Sequence, residues 1–393
     1  MGEGLAGLVA PIETSAFFAD YFEMRPLLVA RREPARFADL VTLDDIDRIL
    51  TTHALRPPVI AAAAAGAPID PAAFTRADGA VDVARLLALH DDGATLILNS
   101  LDDVHPPLAA LCDALALDLS ARVQANIYVT PPGAVGFPAH ADIHDVFILQ
   151  AHGAKRWRLA PGPIQLPLAA QAPDLEGLTL PENAESMVLG AGDTLYIPRG
   201  VVHQAETDEA ASIHLTLGAP AYTWGELLHE ALATAILEDV DLRRALPPGF
   251  ARPGFDLGPA EARFGELVAR FASKADAADA FEAVREAFVA DRPARLAGQF
   301  AELAALQSLD VASVVGPRPS LAYGLRDEAD AVVILCHGKE IRVPSLGAEA
   351  ARHALASQRF IVGALPGRLD AASKLALVRR LVREGLLRRL APD

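Results

Sequence analysis

Short hydrophobic runs alternate with polar and turn-forming groups between residues 123 and 220. The runs are rich in Val, Ile, Leu and Tyr, and groups such as PPG, GAG and PRG separate them. No ten-residue helical pattern lies between consecutive runs, as the crossovers of a parallel sheet would require. The pattern predicts an antiparallel barrel or jelly roll, with strands at Val123–Thr130, Val146–Gln150, Arg156–Leu159, Ser186–Leu189, Thr194–Ile197 and Ser212–Leu217.

The N-terminal part of the chain shows a helical pattern instead. Between Phe17 and Leu50, the sequence FFADYF places apolar residues at helical spacing. Thr42 precedes Asp44 and Asp45, an order typical of a helix N-cap followed by an acidic first turn. We therefore expect residues 17–50 to form a helical lead-in to the β-rich centre.

Helical patterns return after Pro220. Thr223 can cap the segment TWGELLHEALATAILE, and amphipathic stretches rich in Ala, Glu and Leu continue from Pro259 to about Leu306. Such a bundle has more apolar surface than one helical hairpin can cover. We therefore expect this segment to associate with a second copy and to give a homodimer.

The C-terminal part combines helices with a hairpin. AVVILC and IRVP read as two strands joined by a tight turn at His337 and Gly338. One helix is predicted near Ala348 to Ala356, and a second starts at Asp370. Helices flanking a β-hairpin are typical of a winged-helix module.

These patterns predict a mixed α and β chain with three domains. Residues 1–220 hold the helical lead-in and the β-rich centre. Residues 221–309 form a helical dimerisation domain, and residues 310–393 form the winged-helix domain.

Composition and charge narrow the class of protein. No stretch reaches the roughly 18 consecutive apolar residues of a membrane helix, and the N-terminus lacks the pattern of a secretory signal. A cytoplasmic location without a membrane partner is therefore expected. Two cysteines, Cys112 and Cys336, are too few for a disulfide framework or a Cys-rich zinc site. The formal net charge of -16 disfavours nucleic acid as a direct ligand and favours a basic polypeptide.

The sharpest chemical signal is the sequence PAHADIHDVFILQ. His140 and Asp142 are two residues apart in an extended segment, so their side chains project from the same face. Further along, GDTLYIPRGVVHQAE contains a turn that delivers His203. Two imidazoles and one carboxylate form the facial triad of non-heme Fe(II) oxygenases, which leaves coordination positions open. We therefore predict that these three residues bind a metal.

With these motifs, the chain resembles the JmjC-type cupin ribosomal oxygenases, a branch of the 2-oxoglutarate-dependent protein hydroxylases. The resemblance extends from FFADYFEMRPLLV, through NIYVTPPGAVGFPAHADIHDVFILQAHGAKRWRL and GDTLYIPRGVVHQAE, to the tail LDAASKLALVRRLVREGLL. It implies a double-stranded β-helix core, Fe(II), 2-oxoglutarate as co-substrate and O₂. It also implies that the hydroxylated substrate is a protein side chain, His or Arg, of a ribosomal protein.

The resemblance also assigns roles to residues beyond the metal ligands. Lys155 would pair with the distal carboxylate of 2-oxoglutarate, since a buried dicarboxylate needs a countercharge. Asn126 and His214 match positions that line the co-substrate pocket. Alternatives stay open for Lys155 as a solvated charge and for Asn126 as a buried polar residue.

Other interpretations of the same residues remain. His144 gives an HxxxH spacing with His140, which suits zinc on a helix, but the strand-like context argues against it. A structural zinc site would need a fourth ligand, and neither cysteine is near. The chain could also be a cupin metalloenzyme that acts without 2-oxoglutarate on a peptide or small molecule, or a non-catalytic binding scaffold.

Overall fold

The computed structural model describes residues 4–134, 137–175, 177–207 and 209–391. It contains two compact units, residues 1–221 and residues 222–393. Among the described residues, no helix combines the length and apolar character needed to cross a membrane.

The first unit begins with helices and continues into strands. Its helices are α1 (Gly4–Val9), α2 (Thr14–Asp20), α3 (Leu43–Thr52), α4 (Val83–Asp91) and α5 (Pro106–Leu119). Its strands are β1 (Leu27–Val29), β2 (Ile60–Ala64), β3 (Ala67–Pro68), β4 (Thr95–Leu98), β5 (Gln124–Thr130), β6 (Asp145–His152), β7 (Ala154–Ala160), β8 (Glu185–Gly190), β9 (Thr194–Ile197), β10 (Val202–Glu206) and β11 (Ser212–Ala219).

These strands form two antiparallel sheets, as the alternating pattern predicted. The larger sheet has the order β1-β9-β6-β11-β5-β4-β2-β3, and the smaller sheet has the order β10-β7-β8. Side chains of β6 alternate between two cores: Phe147 and Leu149 pack towards the helices, whereas Val146 and Ile148 pack against Trp157 of the smaller sheet. Strand β6 is therefore buried on both faces, which explains its continuous hydrophobic sequence.

The predicted helical lead-in over residues 17–50 is only partly correct. Strand β1 interrupts it and pairs with β9 at the edge of the larger sheet, with Leu27 opposite Tyr196. Three apolar residues after Pro26 adopt the strand because a partner strand satisfies their backbone groups. The predicted cap is confirmed, since the side chains and backbones of Thr42 and Asp45 form a reciprocal capping box at the start of α3.

The second unit contains six helices and two small sheets within its described part. The predicted cap at Thr223 and the hairpin turn are both confirmed, and His337 and Gly338 have positive φ angles of 50° and 67°. The helices are α6 (Trp224–Glu238), α7 (Gly258–Lys274), α8 (Ala277–Asp291), α9 (Gln299–Ala304), α10 (Ala348–Ala356) and α11 (Ala371–Arg383). The strands are β12 (Val314–Pro317), β13 (Gly324–Asp327), β14 (Ala331–Cys336), β15 (Lys339–Pro344), β16 (Phe360–Ile361) and β17 (Leu387–Arg389), in sheets of order β16-β12-β17 and β13-β14-β15.

Candidate metal centre

Main-chain hydrogen bonds bring the two predicted metal-binding segments together. The backbone N–H of His203 donates to the carbonyl of His140 at 2.8 Å, and the N–H of His140 donates back to the carbonyl of His203 at 3.2 Å. The N–H of Gly200 donates to the carbonyl of Asp142 at 2.9 Å. The loop before β6 and the start of β10 are thus held side by side by backbone atoms.

The three predicted ligands converge at this junction. One ligand atom from each of His140, Asp142 and His203 lies within 4.8 Å of the others. Nε2 of His203 is 3.6 Å from Oδ2 of Asp142. Each imidazole donates its Nδ1–H to a backbone carbonyl, of Pro138 at 2.9 Å and of Val201 at 3.0 Å. Because these bonds fix the tautomer, both Nε2 atoms keep a lone pair for a metal.

The electrostatics also fit a bound cation. Burial lowers the pKa of His203, while the nearby carboxylate of Asp142 opposes that shift. His203 is therefore neutral at pH 7, and neutral imidazole is the form that binds metals. Among the described residues, this cluster offers no fourth His, Cys, Asp or Glu ligand. Such a donor set fits a divalent transition metal that keeps open coordination positions.

A cavity of about 150 Å³ adjoins the triad. Strand β11 pairs with β5, with His214 opposite Tyr128 and Thr216 opposite Asn126. Since side chains alternate along a strand, both strands present every second residue to this cavity. The lining residues are Asn126, Tyr128, Phe137, His140, Asp142, His144, Val146, Ile148, Lys155, Trp157, His203, Ala205, His214, Thr216 and Gly218.

Lys155 is a buried cation in this cavity. Its side chain is 2% exposed, and its ammonium donates to Oγ1 of Thr130 at 3.0 Å. In the part of the chain that the structure describes, no carboxylate forms an ion pair with it. Burial lowers the pKa of Lys155 to about 7. A positive group so placed is suited to an anionic ligand.

His214 forms an aromatic wall with two neighbours. Its ring stacks on Tyr128, with centroids 4.7 Å apart and planes 4° from parallel. Trp157 meets the same ring edge-on at 5.5 Å. Burial, and secondarily the nearby Lys155, lowers the pKa of His214 well below its usual value. His214 is therefore a neutral imidazole beside the buried ammonium.

Asn126 lines the same cavity, opposite Thr216 of β11. Its Oδ1 accepts a hydrogen bond from the backbone N–H of Ser100 at 3.0 Å. This bond identifies the amide oxygen and orients the NH₂ group. Asn126 is thereby a fixed donor on the cavity wall.

All six residues singled out from the sequence therefore lie around one cavity. Sequence reasoning missed the contribution of Thr130, which is fully buried and holds Lys155, and of Thr216 and Gly218 on β11. The period of two along β5 and β11 was the available signal. This period identifies the residues that face the cavity only when the register between the two strands is known, and no local motif specifies that register.

The JmjC domain family model matches residues 103–227 of the chain. Over 260 residues, the chain is 32% identical to the Drosophila grimshawi bifunctional lysine-specific demethylase and histidyl-hydroxylase NO66, covering 62% of this chain and 35% of that protein. It is 31% identical over 254 residues to Rattus norvegicus ribosomal oxygenase 2, covering 61% and 53%. The chain thus spans about a third to a half of these curated relatives.

Solved structures share the fold over almost the whole chain. The crystal structure of Escherichia coli ribosomal oxygenase YcfD has a TM-score of 0.57 at 18% identity, covering 96% of this chain and 98% of that chain. A YcfD structure in complex with cobalt and 2-oxoglutarate has a TM-score of 0.56 at the same identity, with 97% and 99% covered. The family resemblance seen in the sequence motifs is confirmed: residues 103–227 match the JmjC domain family, and the chain shares the fold of the E. coli ribosomal oxygenase.

Proposed function

We propose that this protein is an Fe(II)- and 2-oxoglutarate-dependent oxygenase that hydroxylates a protein side chain. The observation that carries the proposal is the buried ammonium of Lys155 in the same cavity as His140, Asp142 and His203. A cupin metalloenzyme that works without 2-oxoglutarate has no use for such a cation. The E. coli ribosomal oxygenase, whose fold this chain shares, is described in complex with cobalt and 2-oxoglutarate.

In this proposal, the metal ligands and the residues around the co-substrate have separate roles. His140, Asp142 and His203 hold Fe(II) through two neutral imidazoles and one carboxylate. Lys155 pairs with the distal carboxylate of 2-oxoglutarate, while His214 and Asn126 line its pocket. The bound iron, 2-oxoglutarate and O₂ supply the oxidising power that places one oxygen atom on a substrate C–H bond. The packed rings of Tyr128, His214 and Trp157 would shield this end of the pocket from water.

The proposed substrate is a His or Arg side chain of a ribosomal protein. The names of the relatives, histidyl-hydroxylase and ribosomal oxygenase, support this class. The formal net charge of -16 is complementary to the basic proteins of the ribosome. We place the activity in the cytoplasm, where such a substrate is available.

Co-substrate dependence can be tested without knowing the substrate. Purified protein with Fe(II) and 2-oxoglutarate should form succinate slowly, and both His140→Ala and Lys155→Ala should reduce this rate by at least about 100-fold. Absence of both succinate formation and 2-oxoglutarate binding in the wild type would exclude the proposal. Loss in His140→Ala alone would show that the metal is needed for the turnover of 2-oxoglutarate but that Lys155 is not the group that holds it.

The substrate class needs a separate measurement. Mass spectrometry of ribosomal proteins from a strain that lacks the gene should show one protein without the mass of an added oxygen atom. Incubation of those ribosomes with the purified enzyme should restore that mass. Identical spectra from both strains would argue against a ribosomal substrate.

We also propose that residues 221–309 form a homodimer interface. Helix α7 has no buried residue although its sequence is amphipathic, and Phe264 is 70% exposed. Trp224 is 74% exposed, and Leu237 is 75% exposed. Apolar surface of this extent is unfavourable in water. A second copy of the same helices would cover it in a self-complementary contact.

The division at residue 309/310 and the winged-helix assignment are proposals too. The core of the second unit runs from Leu306 to Leu387 and omits α6, α7 and α8, which supports a separate C-terminal module. Arg380 donates to the backbone carbonyl of Arg342 within that module, and Arg379 and Arg389 donate to the carbonyls of Leu309 and Ala305 just before it. Because these arginines stabilise its fold, we do not propose nucleic acid as its ligand.

A further inference from the structure

The residues that line the cavity beside the metal ligands change in character along strand β11. Three alternate residues of this strand line it in order: His214 beside Lys155, then Thr216, then Gly218. At about 3.3 Å per residue, the distance from His214 to Gly218 is roughly 13 Å. The end at Gly218 is therefore the one far from the buried ammonium.

His144 occupies the far end through a close fit with Gly218. A Cβ atom placed on Gly218 would lie 3.1 Å from Nε2 of His144 and 3.4 Å from its Cε1. The missing side chain at residue 218 therefore makes room for the imidazole of His144. This ring lines the same cavity as the metal ligands but is not one of the three.

One nitrogen of His144 has an unsatisfied hydrogen-bonding capacity. Its Nδ1 is buried and has no hydrogen-bond partner among the residues that the structure describes. Nε1 of Trp157, in the same cavity, is also buried and unpaired within that part of the chain. Buried polar atoms are nearly always paired in folded proteins, so an unpaired one at a cavity is available to a ligand there.

We propose that His144 recognises the substrate side chain through a hydrogen bond at Nδ1. This inference rests on the proposed function and assigns the two ends of the cavity to different ligands. Lys155 holds the co-substrate at one end, and His144 holds the primary substrate at the other. The substrate is then a side chain with a hydrogen-bonding group beyond its Cβ atom, not a purely aliphatic one.

The test compares His144→Phe with His144→Asn. Phenylalanine keeps a flat ring without hydrogen bonding, whereas the side-chain amide of asparagine offers an acceptor oxygen and a donor nitrogen in place of Nδ1. The probe is ribosomes from a strain that lacks the gene, and the readout is succinate formed per hydroxyl group added. We expect this ratio to rise about five- to tenfold in His144→Phe, as loss of one hydrogen bond predicts, and to stay near the wild-type value in His144→Asn.

A further variant changes the packing against the ring of His144 and leaves that residue itself unaltered. Gly218→Ala should press on His144 and raise the ratio in the same direction, without altering any polar group. An unchanged ratio in His144→Phe would overturn the inference, as would an equal rise in His144→Asn. Either result leaves the proposed function standing if wild-type protein hydroxylates the ribosomes. Failure of the wild type to form succinate at all would instead overturn the proposed function.

Discussion

Burial places the ammonium of Lys155 in an unfavourable environment until an anion joins it. The unfolded chain holds this proton with an ordinary lysine pKa, whereas the folded chain holds it with a pKa of about 7. The folded state therefore binds fewer protons between pH 7 and the ordinary lysine pKa. By linkage, the penalty is fully present below pH 7 and declines as the pH rises.

Lys155→Met should accordingly stabilise the protein while removing its co-substrate affinity. We expect the free energy of unfolding at pH 7 to rise by roughly 1–3 kcal/mol, because an apolar side chain replaces a buried charge. Urea denaturation measures the stability, and calorimetric titration measures 2-oxoglutarate binding. Lys339→Met, at an exposed position paired with Glu384, is the control and should change stability by less than about 1 kcal/mol. A less stable Lys155→Met would show that the lysine is structural.

The affinity for 2-oxoglutarate should depend on pH through the same residue. Binding requires the ammonium form, and the dicarboxylate raises the pKa of Lys155 in the complex. Affinity should therefore be constant below pH 7 and fall by up to about tenfold per pH unit above it. Titrations with Mn(II) and 2-oxoglutarate over pH 6–9 measure this. Lys155→Arg keeps its charge throughout that range, so an equal decline in this variant would rule out Lys155 as the cause.

The sequence identified the ionisable residues of the candidate site better than those that cannot ionise. His140, Asp142, His203 and Lys155 belong to local motifs whose chemistry is recognisable from residue type and spacing. The role of Thr130 depends on a contact with a residue from another strand. Such neutral contacts leave no local pattern, because serine and threonine are equally common on strand surfaces without function.

At the scale of elements, turns with glycine hold the metal-binding segments in register. Gly200 has a φ angle of +85°, and a Cβ atom there would lie 2.5 Å from the carbonyl oxygen of Ile164. Its N–H also donates to the carbonyl of Asp142. The position therefore requires glycine for both its conformation and its space.

Gly200→Ala should destabilise the protein by roughly 2–4 kcal/mol and weaken metal binding, because the turn must shift away from Asp142. Gly133→Ala is the matched control. Gly133 has a φ angle of +69°, but a Cβ atom added there would meet no atom of the described residues within 4 Å, so only about 1 kcal/mol of conformational strain is expected. Thermal unfolding and Co(II) titration measure both variants. Equal losses of stability and metal binding in the two variants would mean that the close contact at Gly200 is not what requires glycine there.

The strands of the centre were predictable because burial and alternation leave clear patterns. The predicted strand Thr194–Ile197 agrees with β9 at both ends. Strand β1 was not predictable, since three apolar residues are a strand only when β9 pairs with them. Strand β2 was missed for a similar reason: its alanines favour a helix by propensity, and pairing with β4 overrides that preference.

At the scale of the whole molecule, the exposed apolar helices of the second unit form the proposed assembly surface. Phe264→Asp should convert the proposed dimer into a monomer, because it places a charge in the centre of the contact. Sedimentation at micromolar concentration should give twice the chain mass for the wild type and the chain mass for the variant. Leu168→Asp, also at an exposed apolar position but in the first unit, should leave the mass unchanged. A monomeric wild type would contradict the proposal.

The reciprocal backbone bonds between His140 and His203 affect how such a protein can diverge. Every residue except proline has the N–H and C=O groups that form these bonds, so the spacing at the centre does not depend on the ligand side chains. Exchange of a ligand alters the donor atoms and leaves the gap between the segments in place. The same fold can therefore bind a different metal, or lose catalysis and keep its pocket, without a change in backbone structure.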